Sequence, residues 1–527
     1  MNAFTRRCLW LVSWVALFAL FPFAAQAQYY DSFGNFSIGA PSGGLSGDFK
    51  RASRFELTQP GTVAQLHAML DGNGGPASGY QDVSLELYAD GNGVPGVKLA
   101  QSEVRHIAAG ATLGWQDFNI QATPVPAGFY WIAIHSAGTA GGSTAGIVRD
   151  YGSGTGNNWY GSSDTFSDGG ASPFGAGSSG TGPLTVYASY LSGAFFNVAG
   201  RMTVAATPSG GMTANFKRGA KVSVANAGLL TRLSAYIDGK GASTGTQKLR
   251  YVLYRDSAGV PGTKVVESAE ITVKAGQAPS WLSAETPNTS IAAGNYWIAI
   301  QSGDTAGIAR NYGDGAANWY GNADTYSDGA AATFGSGSTG TGTLSAVAMV
   351  IPGTEPIQSF GRSSIAATPS GGLTANYTRG PSFGAYTAPN NGMMTAMYAY
   401  LDGNGGASGS QQARIVVYSD DQYKGDAVSK LYESETVTIP AGMSPRWVRF
   451  PLKTPAPFAS NPAYWIMLQS GNSAGVIRDY GDGAANWHGT ADTFSDGPAE
   501  YIDWYQNPNV KQGTGTMSVY LEIALVN

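Results

Sequence analysis

The chain has 527 residues, 74 of them glycine and one cysteine, with 30 basic against 35 acidic residues and a formal charge of −5. Weak acidity without clustered Lys and Arg excludes an electrostatic footprint for nucleic acid, and a lone cysteine excludes a disulfide framework or a zinc-thiolate site. The length exceeds what one hydrophobic core serves and sets an expectation of about three domains.

Residues 1–27 read as an export signal. Arg6 and Arg7 precede an apolar run from Leu9 to Phe23, and Ala25-Gln26-Ala27 offers the small residues that a signal peptidase cuts after. Thr5-Arg6-Arg7 faintly resembles a twin-arginine signal, but the short charged region and strongly apolar centre fit general export better. Cys8 would leave with this segment, and 28 basic against 35 acidic residues would remain, a charge of −7. Downstream, no apolar stretch approaches the roughly 20 residues of a membrane-spanning helix. The expected location is secreted or periplasmic.

Three copies of one pattern then follow, at 28–198, 199–360 and 361–527. Pro41, Pro208 and Pro369 open "PSGGLSGDFKR", "PSGGMTANFKR" and "PSGGLTANYTR". Segments ending "MLDGNGG", "YIDGKGA" and "YLDGNGG" follow, carrying Asp71, Asp238 and Asp402. Next come "VSLELY", "LRYVLY" and "ARIVVY", and then "FYWIAI", "NYWIAI" and "AYWIML". Trp131, Trp297 and Trp465 are 166 and 168 residues apart, which is a whole-domain repeat and not a solenoid turn.

The period inside a copy is two. In "VSLELY", Val83, Leu85 and Leu87 share one face and Ser84, Glu86 and Tyr88 the other, which predicts a half-buried strand. Gly, Asn, Asp and Pro clusters such as "DGNGVPG" separate about eight such strands per copy. Only "AVSKLYESE" has a helical reading, and it lies where the other copies read as strand. The prediction is all-β: three tandem antiparallel β-sandwiches, jelly-roll-like.

Between the "YWIAI" strand and the last strand lies a glycine-rich connection of roughly 50 residues, far beyond ordinary loop length. It carries the most repetitive text of the chain: "NWYGSSDTFSDG", "NWYGNADTYSDG" and "NWHGTADTFSDG", each preceded by Arg-x-Tyr. The candidate ligand-binding residues are Arg149, Tyr151, Asn158, Trp159, Asp164 and Asp168 in copy one. Their counterparts are Arg310, Tyr312, Asn318, Trp319, Asp324 and Asp328 in copy two, and Arg478, Tyr480, Asn486, Trp487, Asp492 and Asp496 in copy three.

These residues admit more than one chemistry. In a structural reading, each arginine pairs with an aspartate of its own loop, Asp164 or Asp168 and their equivalents, while the tryptophan packs as a plug. In a carbohydrate reading, the indole stacks on the apolar face of a sugar while arginine, aspartate and asparagine grip its hydroxyls. Calcium is a third reading, since "DGNGG" opens like an oxygen cage. Lys240 interrupts that pattern in copy two, and turn chemistry accounts for it more simply. No catalytic set recurs: His67, His106, His135 and His488 stand at unrelated places in the repeats, and Asp164 with Asp168 would have to serve as a glycosidase pair three times over.

The combination of "LDGNGG", "YADGNGVPG", "YWIAIHSAG" and "NWYGSSDTFSDG" resembles repeat modules of bacterial secreted proteins, carbohydrate-binding-module-like sandwiches attached to extracellular enzymes. That resemblance implies an accessory β-sandwich outside the cell, without identifying binding residues. The expected function is therefore an exported, non-enzymatic, multivalent protein that binds a polysaccharide or cell-surface glycan, without a required cofactor. The alternative is a structural component of an extracellular matrix or appendage whose recurrent loops serve only the fold.

Overall fold

The computed structural model describes residues 31–138, 144–152, 157–192, 197–353, 357–384, 392–419, 428–453, 456–458, 463–499, 501–502 and 510–525. The expected export signal, Cys8 included, lies outside the described residues. Apart from one short helical turn, Phe166–Asp168, the named elements are strands, and no described helix is long and apolar enough to cross a membrane.

Six antiparallel sheets pair into three sandwiches. In the first, one sheet runs Ser178–Thr181, Asn157–Ser163, Phe49–Leu57, Gly128–Ser136, Tyr80–Asp90, Pro95–Gln101 in spatial order. The facing sheet runs Asp31–Gly34, Val186–Ser192, Gly61–Asp71, Arg149–Gly152, Ala40–Pro41, with Gly114–Val125 also paired to Gly61–Asp71. The same central strand order recurs in the second and third copies, with single bridges at Pro208 and Pro369 in place of the Ala40–Pro41 strand and with Ala456–Phe458 and Tyr501–Ile502 added in the third. Period-two alternation sends Val83, Leu85, Leu87, Ile132 and Ile134 of one sheet against Leu66, Ala68, Leu70 and Val186 of the other, all fully or almost fully buried. Equivalent apolar clusters fill the other two sandwiches.

Two expectations need correction. The strand with Val83, Leu85 and Leu87 is buried on both faces, because Ser84, Glu86 and Tyr88 are covered as well. The cover is the segment after the "NWYG" motif, which folds back over the outer face of the sheet. Phe174 packs edge-on against Tyr88 with ring centres 5.0 Å apart. The Tyr88, Tyr254 and Tyr418 hydroxyls donate to the carbonyls of Ala171, Ala331 and Ala499 at 3.1, 3.0 and 2.9 Å.

The second correction concerns the "NWYG" stretch itself, which is strand and not loop. Asn157–Ser163, Gly313–Ala323 and Gly481–Ala491 each pair with the strand that follows the "PSGG" loop. Glycine on the next strand makes this feasible. Trp159, Trp319 and Trp487 stand opposite Gly180, Gly340 and Gly513, and a Cβ on those glycines would fall 2.0, 2.4 and 2.5 Å from the indole. The ring occupies the space that the missing side chain leaves, a stabilisation that hydrophobic periodicity does not register. The "AVSKLYESE" fragment is strand too, at Val428–Glu433.

The sandwiches dock against one another. The Ser283 amide donates to Gln121 Oε1 at 2.8 Å, joining the second to the first. Glu285 accepts from Arg232 at 3.0 Å within the second sandwich and from the Leu452 amide at 2.9 Å and Arg449 of the third.

Candidate functional site

The Arg-x-Tyr residues build a lock at the sheet edge, and their partner is not the one expected. Arg149 does not reach Asp164 or Asp168. Its Nε and Nη2 donate to both oxygens of Asp71 at 2.9 and 2.6 Å, and the Tyr151 hydroxyl donates to the same carboxylate. Arg310 holds Asp238 at 2.8 and 2.7 Å with Tyr312 beside it, and Arg478 holds Asp402 at 2.9 and 2.8 Å with Tyr480. Antiparallel register sets Arg149 opposite Asp71, Arg310 opposite Asp238 and Arg478 opposite Asp402, so the pairing is cross-strand and 72 to 78 residues distant in sequence.

The amide of the residue two positions on, Asn73, Lys240 or Asn404, donates to the same carboxylate at 2.9, 2.9 and 2.8 Å. Burial alone would raise the Asp71 pKa, but the bonds from Arg149 and Tyr151 outweigh it and hold the group far below the usual carboxylate range. Asp402 is lowered by the same balance of burial against Arg478 and Tyr480. The "DGNGG" segments are thus arginine-locked turns whose carboxylate oxygens already meet protein donors. Gly74 is required there because a Cβ would lie 2.1 Å from the Gly146 carbonyl.

Asp164, Asp324 and Asp492 belong to the cover. Asp164 takes the buried Lys50 ammonium at 2.6 Å and the Ala171 amide at 2.7 Å. Asp324 takes Lys217 and Gln301 at 3.0 Å each, and the Ala331 amide at 3.2 Å. The third copy has Thr378 in place of the lysine, and Asp492 accepts its hydroxyl at 2.7 Å. Without that cation burial dominates and raises the Asp492 pKa. Asp168, Asp328 and Asp496 lie exposed at the following turn.

The tryptophans stand apart from both groups. Trp159, Trp319 and Trp487 are half-buried, on the sheet face turned toward the arginine that ends each "PSGG" motif. The guanidinium carbons of Arg51, Arg218 and Arg379 lie 5.7, 4.3 and 5.3 Å from the indole centres. Tyr160 and Tyr320 turn to the opposite face, edge-on to Trp131 and Trp297 at 6.3 Å in both copies. Asn318 is exposed, and the side chains of Asn158 and Asn486 lie outside those described.

A cleft opens beside the indole–arginine pair, where the "PSGG" loop crosses between the two sheets. In the third sandwich it measures about 600 Å³, lined by Leu373, Thr374, Tyr377, Arg379, Trp487 and Thr490. In the second it measures about 310 Å³, lined by Ser209, Met212, Thr213, Phe216, Arg218 and Asn311. Met212 and Leu373, Thr213 and Thr374, Phe216 and Tyr377, and Arg218 and Arg379 are equivalent residues, so the two clefts are one site repeated. An aromatic wall, a guanidinium and hydroxyls around a cavity of this size can hold a small polar ligand.

Of the described candidate residues, then, the fold brings arginine and tyrosine together with a distant aspartate, puts the first loop aspartate in the cover, and sets tryptophan at the cleft, lining it as Trp487 in the third copy and standing against the cleft arginine as Trp319 in the second. Arg51, Arg218 and Arg379 were missed as site residues although each ends a quoted repeat motif. The cue was their recurrence two residues after an aromatic, the spacing that puts both on one face of a strand. Comparison with protein-family models, with curated proteins and with solved structures finds no match for this chain.

Proposed function

We infer that the protein is an exported, non-enzymatic glycan-binding protein with a binding cleft in successive sandwiches. The observation that carries this reading is the repetition of one cleft, built from equivalent residues, in the second and third copies. Folding determinants also survive duplication, but a solvent-open cleft lined by an arginine, hydroxyl groups and, in the third copy, a tryptophan adds nothing to a core. Saccharides suit such a lining because their rings carry apolar faces and hydroxyl rims.

The second reading, a structural component of an extracellular matrix or appendage, draws support from the indoles that cover cross-strand glycines. Retention of the mature chain on a panel of insoluble polysaccharides separates the two. Glycan binding predicts retention on at least one polymer and its competitive release by soluble fragments of that polymer. A chain that passes through every polymer and assembles with itself would uphold the structural reading.

A further inference from the structure

The second cleft differs from its neighbours at one buried position. The residue after the locking arginine is Asp150 in the first sandwich and Asp479 in the third, and each neutralises the cleft arginine. Arg51 Nη2 donates to Asp150 at 2.8 Å, and Arg379 Nη2 donates to Asp479. In the second sandwich this residue is Asn311.

The substitution leaves a cation without a counter-charge. Arg218 has no ion pair among the described residues, whereas its Nε, like that of Arg379, is shielded from solvent without a hydrogen-bond acceptor. Asn311 is 2% exposed, lines the same cleft, and its Nδ2 is likewise without an acceptor. The guanidinium instead lies nearer the indole than in the other copies, 4.3 Å against 5.7 and 5.3 Å. Burial disfavours the charge and lowers the pKa of Arg218 and Arg379 alike, yet a guanidinium keeps its proton in proteins.

Unsatisfied donors and an unpaired charge in one cavity call for a ligand that supplies both acceptor oxygens and negative charge. A carboxylate meets a guanidinium as a planar fork and has lone pairs left for an amide donor beside it. A neutral hydroxyl would satisfy the donors but not the charge. About 310 Å³ admits a compact unit and no more.

We propose that the cleft formed by Arg218 and Asn311 binds the carboxylate of an acidic sugar unit, a uronate, and that the cleft of the third sandwich, its arginine neutralised by Asp479, takes a neutral unit. The sugar part rests on the glycan reading above; the carboxylate part rests on the unpaired guanidinium.

The test titrates the mature chain with short oligomers of galacturonate and of mannuronate, with their methyl esters, and with acetate followed through the Trp319 indole resonance. At least one acid oligomer binds, and its methyl ester binds at least tenfold more weakly. Asn311→Asp restores the internal counter-charge of the other copies, so it weakens acid binding at least tenfold while melting no lower than wild type. Arg218→Gln removes the charge and gives the same loss, which guards against a misfolded N311D. Acid and ester binding equally would overturn the carboxylate assignment and leave the glycan reading standing. Acetate binding without any uronate would overturn the sugar part, and with it the glycan reading of this cleft. No acid binding at all, or unchanged binding by both variants, would overturn the proposal outright.

Discussion

Asp71, Asp238 and Asp402 are almost inaccessible, and each receives two bonds from an arginine, one from a tyrosine and one from a backbone amide. Removing the arginine strands a buried carboxylate, a change that costs more than the pair contributes when intact. Arg310→Met is therefore expected to destabilise the second sandwich by about 3 kcal/mol, measured as a lower urea midpoint. An unchanged midpoint would mean that the pair is dispensable. A second buried group belongs to the first sandwich alone. His135 Nδ1 meets Glu86 at 3.0 Å, with Tyr88, Lys50, Lys98 and Asp164 around them. Burial would lower the His135 pKa and raise that of Glu86. Their mutual bond and charge reverse both, leaving His135 above its ordinary 6.5 and Glu86 at about 2. A raised histidine stabilises the fold below pH 6.5 and loses that contribution as pH rises through its folded value. A lowered glutamate stabilises above pH 4.5 and loses its contribution as pH falls toward 2. His135→Gln, the residue of the other copies, should thus cost more protection of the Val83–Tyr88 amides at pH 6 than at pH 9. Equal loss at both would show that the histidine is uncharged in the fold.

At the scale of the element, the cover over the outer face turns a sheet strand into a doubly buried one, and its anchor differs among copies. Asp324→Asn leaves the buried Lys217 unpaired and should lower the stability of the second sandwich by about 3 kcal/mol. Asp492→Asn removes a buried charge that no lysine matches, so it should leave the third sandwich as stable or more so at neutral pH. Hydrogen exchange of the two covers reads both, and parallel destabilisation would contradict the role given to Lys217. These elements also mark the boundary of what the sequence discloses. Alternating apolar residues such as Val83, Leu85 and Leu87 declare the core face, and the tryptophan spacing declares three copies. The "NWYG" strands stay hidden because their pairing depends on an indole over a cross-strand glycine, which leaves no period. The Arg149–Asp71 pair is hidden for another reason: both motifs are visible, but only strand register brings them opposite each other. The cleft arginine is legible as a recurrence and becomes meaningful only once the "PSGG" loop is seen to cross between sheets.

On the scale of the whole molecule, three docked sandwiches present equivalent surfaces on one chain. A single cleft is expected to bind weakly, at about millimolar or roughly 4 kcal/mol, of which a stacked aromatic supplies on the order of 1 kcal/mol. A polymer that spans several clefts gains avidity that a short oligomer lacks. The central claim, that these clefts hold the ligand, is best tested by plugging them without touching the tryptophans that the fold needs. Gly210 lines the second cleft, and a Cβ there, or at the equivalent Gly43 and Gly371, would meet nothing within 4 Å. The triple variant Gly43→Phe, Gly210→Phe, Gly371→Phe should melt as wild type does and lose retention on whichever polysaccharide holds the wild-type chain. Wild-type retention by that folded variant would contradict the account.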